Sequence, residues 1–435
     1  MTHQLKDGGQ VMHVGMLARV EGEGGMHIEF KDGKVDSVKL NIFEPPRFYE
    51  GFLRGRKFTE PPDITARICG ICPVAYQSAS TEAMESICGA TTTPEIQEMR
   101  RLLYCGEWIE SHALHIFMLH APDFLGYESS LEMAKDLPDV VHMALRLKKA
   151  GNDLMTAVGG RAIHPVNVKV GGFYRMPTVE ELKRLRPDLE RGVEEAYSAI
   201  ALVAGFDFPE FHQDYTYVAL RHPDRYPLER GTQVVTSTGL SFPIAEIPDH
   251  ITEFHVEHSN ALHASFDGQP YFVGPLARYA LNFDQLSPRA QEAALATGIG
   301  RECRNPFKSI IVRAVELAYA FEEALRIIDG WVDGHAPSVP VTPREGEAIG
   351  ASEAPRGMIW HRYRIDADGI ITDAQIVPPT SQNQASIEAD LRKAAEQWTD
   401  LDDHMLTHRC EEAIRNYDPC ISCATHFLDL RVKRS

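Results

Sequence analysis

The sequence predicts one interlocked, mainly α-helical domain with a small α+β part. Long stretches repeat apolar residues with the 3.6-residue period of a helix, whereas two short stretches alternate apolar and polar residues around an Asp-Gly turn. The chain shows no internal repeat and no linker-like segment. Its 435 residues, 43% of them hydrophobic, are sufficient to bury one large core.

The β part is predicted at two places. Residues 11–60 are expected to form strands and turns with a hairpin at Asp32-Gly33, and a second hairpin is predicted around Asp368-Gly369. The expected order of parts along the chain is an N-terminal β-rich part (1–62), a helical core (63–356) and a C-terminal part with the second hairpin and the last helices (357–426).

Helix limits are predicted from capping residues and helix breakers. Asp63 or Thr65 is a suitable N-cap for a helix that carries the first cysteines and ends at Gly89. Thr178 and Glu181 form a capping-box pattern before a long amphipathic stretch. Further helices are predicted from Thr93-Pro94 onward, over 128–150, from Pro306 onward, over 386–398 and over 400–416.

Charge and hydropathy exclude two classes of partner. The net charge of −18 disfavours nucleic acid, which is bound by clustered Lys and Arg. No apolar run approaches the roughly 20 residues of a membrane span, and the N-terminus lacks an apolar signal core. We therefore expect a soluble chain with no membrane span of its own.

Eight cysteines are too few for a disulfide scaffold, but four of them form two Cys-x-x-Cys pairs near opposite ends of the chain. One pair is Cys69 and Cys72, within RICGICP; the other is Cys420 and Cys423, within DPCISCATH. This spacing lets both thiolates reach one metal from a turn or from a helix start, where the helix dipole favours the thiolate. Four soft thiolates favour zinc, nickel or iron over hard cations.

Two other interpretations of these pairs are open. A structural zinc site is their commonest meaning, although zinc ribbons usually bring their pairs together over ~15–20 residues. A chain of this size also needs no metal to fold. Redox-active pairs usually lie in a short βαβ segment, which neither pair has. A catalytic centre in the core fits the wide separation better.

Taken together, the motifs resemble those of nickel–iron hydrogenase large subunits. The first motif, Arg-x-Cys-Gly-x-Cys, and the second, Asp-Pro-Cys-x-x-Cys-x-x-His, occur in the order of that family. The resemblance covers the whole chain and implies a fold with a central bundle of long helices and peripheral β-hairpins and sheets. Similar intermediate segments are Arg19-Val20-Glu21-Gly22, Gly159-Gly160-Arg161 with His164-Pro165, Glu353-Ala354-Pro355-Arg356-Gly357, and Pro379-Thr380.

The resemblance implies a nickel–iron centre whose iron also carries carbon monoxide and cyanide. Cys69 and Cys420 would be terminal nickel ligands. Cys72 and Cys423 would bridge nickel and iron. The implied reaction is the reversible heterolytic cleavage of H₂ to protons and electrons.

The same resemblance implies roles for neighbouring residues. Cys420 would accept the proton first and Glu21 would relay it outward, since a base must lie within hydrogen-bond reach of the reacting group. Arg356 would place a cation over the open side of the metals. Thr380 and the segment with Pro355 and Arg356 would orient the cyanides through hydrogen bonds.

A second, hard-cation site is also implied. Glu50 and His426 would be ligands of magnesium or of a second iron. The backbone carbonyl of Ile376 is a third candidate ligand. Oxygen ligands of this kind suit magnesium.

Two features depart from the family pattern. Tyr76 stands where many members have a histidine, and a phenol donates a hydrogen bond but does not titrate near neutral pH. Residues 427–435 resemble the tail that a maturation protease removes once the metals are loaded with the help of nickel chaperones. We expect this removal to leave His426 as the C-terminus.

The resemblance also implies partners and a location. An iron–sulfur small subunit would dock near the first cysteine motif, and flavin and NAD(P) diaphorase subunits would follow, because the chain has no Gly-x-Gly-x-x-Gly element. The segment PVAYQ (73–77) is similar to the cytoplasmic, pyridine-nucleotide-linked branch. The alternative functions are a relative of the quinone-site subunit of complex I, in which these cysteines are absent, and a structural zinc scaffold.

Overall fold

The computed structural model describes residues 2–4 and 10–425. The strands lie in small antiparallel sheets, each formed by strands that follow one another along the chain. The sheets are β1 (Thr2–Gln4), β2 (Gln10–Val14), β3 (Gly24–Lys31) and β4 (Lys34–Ile42); β5 (Val168–Lys169) and β6 (Gly172–Phe173); β7 (Val218–Arg221), β8 (Gln233–Thr236) and β9 (Ser241–Pro243); β10 (Ile251–Phe254) and β11 (His263–Phe266); and β12 (Gly346–Ala354), β13 (Gly357–Ile365) and β14 (Ile371–Val377).

The helices make up most of the remaining structure. They are α1 (Tyr49–Leu53), α2 (Pro61–Thr65), α3 (Pro73–Cys88), α4 (Pro94–Leu114), α5 (Ala121–Leu125), α6 (Ser130–Asp136), α7 (Pro138–Gly159), α8 (Val179–Lys183), α9 (Arg186–Ala204), α10 (Ile247–His250), α11 (Pro275–Asn282), α12 (Pro288–Ala296), α13 (Ser309–Gly330), α14 (Pro379–Gln397), α15 (Asp403–Arg415) and α16 (Ile421–Ala424). A π-helical turn (His115–His120) continues α4.

Long helices form the centre of the molecule. α4 packs against both α7 and α13, and α13 also packs against α9. Nearly every side chain of α4 from Met99 to Ala113 is buried, as expected for a helix surrounded by others. The predicted fold class, a helical bundle with peripheral sheets, is confirmed. None of the helices in the described ranges is long and apolar enough to cross a membrane.

Helix α3, which follows the first cysteine pair, packs directly on β12, the strand that leads to Arg356. A Cβ atom on Gly350 in β12 would lie 2.1 Å from the carbonyl oxygen of Ala79 in α3, so a larger residue would push the two elements apart. We propose that the three predicted parts of the chain form one domain, because the larger of two sets of buried residues extends from Met12 to Ala424 and includes side chains from all three parts.

Most predicted boundaries are confirmed. Thr93 caps α4, Thr178 and Glu181 form the capping box of α8, and Gly89 ends α3 with a φ of 64°. The hairpin turns at Asp32-Gly33 and Asp368-Gly369 connect β3 to β4 and β13 to β14.

Three helix predictions are wrong in their limits. The first helix is interrupted: α2 already starts at Pro61, and Cys69 and Cys72 lie in a loop between a 3-10 turn and α3, since Pro73 has no amide proton to continue the helix. Residues 128–150 form two helices, because Pro138 starts α7. The helix predicted over 386–398 starts earlier, at Pro379.

A buried carboxyl group on α14 makes the stability depend on pH. The hydroxyls of Tyr215 and Tyr417 donate to Asp390 Oδ2 at 2.6 and 2.8 Å, and burial raises the pKa of Asp390 from its ordinary 3.8 to about 7. The folded protein therefore keeps a proton that the unfolded chain releases. The contribution of this group to the free energy of unfolding therefore falls as pH rises from about 4 to 7, by up to ~1.4 kcal/mol per pH unit.

We expect Asp390→Asn to remove this contribution, because an amide accepts the same two hydrogen bonds but does not titrate. Denaturant midpoints measured at several pH values should therefore fall less steeply in the variant than in the wild type. Asp400→Asn, at an exposed position, serves as the control and should keep the wild-type slope. Parallel slopes for Asp390→Asn and the wild type would contradict the prediction.

Candidate metal centre

The four cysteines of the two motifs meet in one buried cluster. The Sγ atoms of Cys69 and Cys420 are 3.4 Å apart, those of Cys72 and Cys423 are 3.7 Å apart, and those of Cys420 and Cys423 are 2.8 Å apart. None of these residues is more than 3% exposed, and none of the four forms a disulfide. One small metal centre would therefore contact all of them, as the motif spacing predicts.

Each cysteine pair lies at the start of a helix. Cys72 is the N-cap residue of α3, and Cys420 is the N-cap residue of α16. The amides of Ile71 and Cys72 both donate to Cys69 Sγ at 3.3 Å. Hydrogen bonds from the other thiols, foremost Cys420, hold the pKa of Cys69 well below its usual value. The loop thus stabilises a thiolate, which is the form that binds metal.

Glu21 lies against the cluster. The Cys420 thiol donates to Glu21 Oε2 at 3.1 Å, and the Ser422 amide donates to the same oxygen at 3.1 Å. The backbones also pair, since the Ile421 amide donates to the Glu21 carbonyl at 3.0 Å. Gly22 has a φ of 89°, and a Cβ there would lie 2.6 Å from Ile421 Cβ. Glycine is therefore required next to Glu21 for this close approach.

Arg356 is held by Asp418, two residues before Cys420. Arg356 donates from Nε to the Asp418 carbonyl at 2.6 Å and from Nη2 to Asp418 Oδ1 at 3.0 Å. Against the effect of burial, the charges of Asp418 and the nearby thiolates hold the pKa of Arg356 well above its usual value. The third nitrogen, Nη1, is buried without a hydrogen-bond partner in the described part of the chain.

The buried Arg278 holds the loop that carries Arg356 in place through hydrogen bonds to the loop backbone. Arg278 donates to the carbonyls of Ala354 and Pro355 at 2.8 and 3.3 Å. It also forms a two-pronged ion pair with Glu316, with both bonds below 3 Å. Arg278 therefore fixes the backbone on which Arg356 is mounted.

Thr380 and Tyr76 lie beside the cysteines in different ways. Thr380 Oγ1 accepts the amide of Cys420 at 3.1 Å, which ties the first turn of α14 to the second motif. The hydroxyl of Tyr76 is buried and makes no hydrogen bond to any described residue, while its ring lies 5.6 Å from that of His361. Burial, followed by the nearby thiolates, raises the pKa of Tyr76 well above its usual value.

Two further residues, Arg47 and Glu107, hold the motifs in place. Arg47 donates from Nη2 to the carbonyl of Ile68 at 2.7 Å and to that of Ser422, so it connects the two motifs. Glu107 accepts the amide of Val74 at 2.6 Å in the first turn of α3. Neither residue lies in a recognisable motif, because their partners are distant in sequence.

An acidic site separate from the cysteine cluster, formed by Glu50 and Glu253, lies near the hairpin of β13 and β14. Glu50 Oε1 accepts the amide of Ile376 at 2.8 Å, and Glu253 accepts a hydrogen bond from Gln375 Nε2 at 3.3 Å. Burial raises the pKa of Glu50 to about 7; burial and the charge of Glu50 raise that of Glu253 to about 8. Glu253 was not predicted, and His426 lies outside the described residues.

These features define a candidate metal site in which four thiols from two motifs far apart in the sequence meet inside a helical fold. The family described as nickel-dependent hydrogenase matches residues 47–138 and 253–426. The chain belongs to this family, as its large, catalytic subunit.

Similar proteins cover nearly the whole chain. Sulfhydrogenase 1 subunit alpha of Pyrococcus furiosus is 35% identical over 422 residues, covering 95% of this chain and 97% of that protein. NAD-reducing hydrogenase HoxS subunit beta of Cupriavidus necator is 29% identical, covering 95% and 94%. A solved NAD⁺-reducing NiFe hydrogenase in the H₂-reduced state matches with a TM-score of 0.84 and 25% identity, covering 96% of this chain and 99% of that one. The predicted family is confirmed, and the complex I and zinc-scaffold alternatives are not supported.

Proposed function

We propose that this subunit catalyses the reversible heterolytic cleavage of H₂ and passes the electrons to a partner iron–sulfur subunit and from there to NAD(P). The observation that carries the proposal is the contact between Glu21 and the four-thiol cluster. It places a carboxylate base within hydrogen-bond reach of a soft metal site.

The side chains of the cluster suit a nickel–iron centre. Cys69 and Cys420 would be terminal nickel ligands, and their soft sulfurs favour nickel over hard cations. Cys72 and Cys423 would bridge to an iron that carries carbon monoxide and cyanide. The buried Arg356 Nη1, with no partner in the described ranges, is a donor suited to an anionic ligand such as cyanide. When bound, this centre supplies H₂ activation and the first electron acceptor.

The chain's own residues would handle the proton. A proton on Cys420 Sγ has only 3.1 Å to cross to Glu21 Oε2, which is hydrogen-bond distance for sulfur. The Ser422 amide holds the same oxygen and so fixes the carboxylate in this orientation. Glu21 is half-buried, so the proton can continue from it towards solvent.

Arg356 and Thr380 would orient the centre. The two hydrogen bonds to Asp418 fix the guanidinium of Arg356 and would leave Nη1 to donate to a ligand of the metals. The Thr380 hydroxyl accepts the Cys420 amide through its oxygen and retains its proton for a second hydrogen bond, which supports a contact to cyanide. Pro355 belongs to the same loop, and its carbonyl is held by Arg278.

Electrons would leave through the iron–sulfur small subunit. Of the cysteines, all of which lie in the described ranges, only the four motif residues form a cluster. His164 Nδ1 is 2.7 Å from the carbonyl of Ala66, so its segment lies beside the first motif and exposes Ile163 and Val166 there. This apolar surface supports docking of the small subunit at that place. The relatives named NAD-reducing support flavin and NAD(P) diaphorase subunits as further partners.

A magnesium ion or second iron would bind at Glu50. The acidic pair with Glu253 and the nearby backbone of Ile376 supports an oxygen-ligated cation there. The His426 ligand, the removal of residues 427–435 by a maturation protease, the nickel chaperones and the cytoplasmic location stay predictions.

Metal analysis combined with infrared spectroscopy tests the proposal on the protein purified with its partner subunits. We expect nickel and iron together, infrared bands of carbon monoxide and cyanide, and H₂-dependent reduction of a dye. Zinc as the sole metal, without these bands, would overturn the proposal in favour of a structural site.

A further inference from the structure

We infer that His258, His263 and Glu388 form a second metal site, separate from the cysteine centre, for one divalent transition-metal cation such as zinc. His258 lies in the loop between β10 and β11, His263 is the first residue of β11, and Glu388 lies on α14. Two imidazoles and one carboxylate are a ligand set that zinc takes at sites with an open position.

The three side chains converge in space. His258 Nε2 is 2.7 Å from Glu388 Oε1, and His263 Nε2 is 3.4 Å from Glu388 Oε2. One ligand atom from each residue lies within 4.8 Å of the others. With zinc bonds of about 2.0–2.2 Å, ligand atoms sit about 3.3–4 Å apart, so small side-chain rotations would admit the ion.

The hydrogen bonds of His263 do not satisfy the ring nitrogens of this buried side chain. This residue is only 2% exposed, and its contact with Glu388 is long for a hydrogen bond. Its other ring nitrogen, Nδ1, has no hydrogen-bond partner within the described residues. A buried imidazole with so few partners is unfavourable, and a metal on Nε2 would replace the weak contact with a strong one.

The backbone arranges the site in advance. The amide of Leu40 in β4 donates to Glu388 Oε1 at 2.9 Å, an orienting contact of the kind that metal-binding carboxylates receive. The amide of Asn260 donates to the carbonyl of Ile42 at 2.7 Å and so fixes the loop beside His258. The side chains of His258 and Glu388 are 25% and 19% exposed, which leaves room for water as a further ligand.

The site is distinct from the cysteines but shares a helix with them. Thr380, which holds Cys420, lies eight residues before Glu388 on α14, or about 12 Å along the helix axis. A metal ion at Glu388 would join α14 to the loop after β10 and to β11. It would brace this helix without contacting the thiolates.

Cobalt and zinc binding tests the inference on the full chain purified with its nickel–iron centre and partner subunits. After treatment with a chelator, we expect the protein to bind one added equivalent of zinc. In the difference spectrum of the cobalt-loaded protein minus the chelator-treated protein, we expect visible d–d absorption without the intense near-ultraviolet charge-transfer band that thiolate ligands produce. A sulfur charge-transfer band in that difference spectrum, or no added equivalent, would overturn the inference.

Matched variants locate the ion. His258→Gln and Glu388→Gln should each lower zinc affinity by more than about 10²-fold, because even the loss of an outer-shell partner costs about 10–100-fold. Glu388→Gln keeps an oxygen for the Leu40 amide, so its fold should be preserved. His250→Ala is the control, since its ring is 24% exposed and pairs with Asp267 outside the cluster. Wild-type zinc affinity in both variants would also overturn the inference.

Discussion

Cys423→Ser is expected to remove the metal centre and to abolish H₂-dependent dye reduction. Cys423 Sγ lies 2.8 Å from Cys420 Sγ and 3.7 Å from Cys72 Sγ, in the middle of the donor set. A serine hydroxyl is a hard ligand that stays protonated near neutral pH, so it cannot replace a thiolate between two soft metals. We expect nickel and iron contents to fall with the activity.

Cys410→Ser is the matched control for this experiment. Cys410 on α15 is equally buried but lies outside the cluster, so its substitution perturbs the core by the same chemical change. Nickel, iron and activity should persist in that variant. Thermal melting of both proteins separates loss of metal from loss of fold. Full metal content and activity in Cys423→Ser would contradict the four-thiolate centre.

Glu21→Gln should lower the turnover of H₂ by about 10²–10⁴-fold with unchanged nickel and iron contents, which is the range of a lost acid–base group. The amide retains an oxygen to accept the Ser422 amide, so the local structure should persist. It cannot take the proton from Cys420, however, because it does not titrate. Exchange of isotope between D₂ gas and water is expected to fall together with dye reduction.

Glu23→Gln supplies the comparison for Glu21→Gln. Glu23 is an exposed carboxylate two residues along the same loop, and no contact of its side chain reaches the cysteines among those the structure describes. We expect wild-type turnover and exchange in this control. Wild-type exchange in Glu21→Gln would show that the proton leaves by another route.

The sequence predicts the four-cysteine centre better than the charged residues around it. The four cysteines could be placed together because thiolate chemistry and spacing restrict what such pairs do, and Glu21 and Arg356 follow from the motifs around them. Arg47 and Glu253 could not be predicted, since each is an isolated charged residue whose partners come from distant segments. Their importance depends on burial, which only the folded chain determines.

The segment with the first cysteines, predicted to be helical, is a loop, and the reason for the difference is related. Ile68 and Ile71 continue an apolar spacing that fits a helix, but Ile68 is buried and Ile71 is partly buried in a loop that packs against the core. Local periodicity cannot distinguish burial on a helix face from burial in a loop beneath other elements. The prolines at 61 and 73, which start the flanking helices, were the stronger signal.

The wide separation of the two cysteine pairs in the sequence also means that the ribosome makes them at different times. Cys69 and Cys420 are 351 positions apart, so a ribosome working at about 5–20 residues per second makes the second about 20–70 s after the first. Throughout that interval the nascent chain holds half a site. A metal that arrives early finds two thiolates instead of four, so a complete centre can form only after translation has passed the last motif.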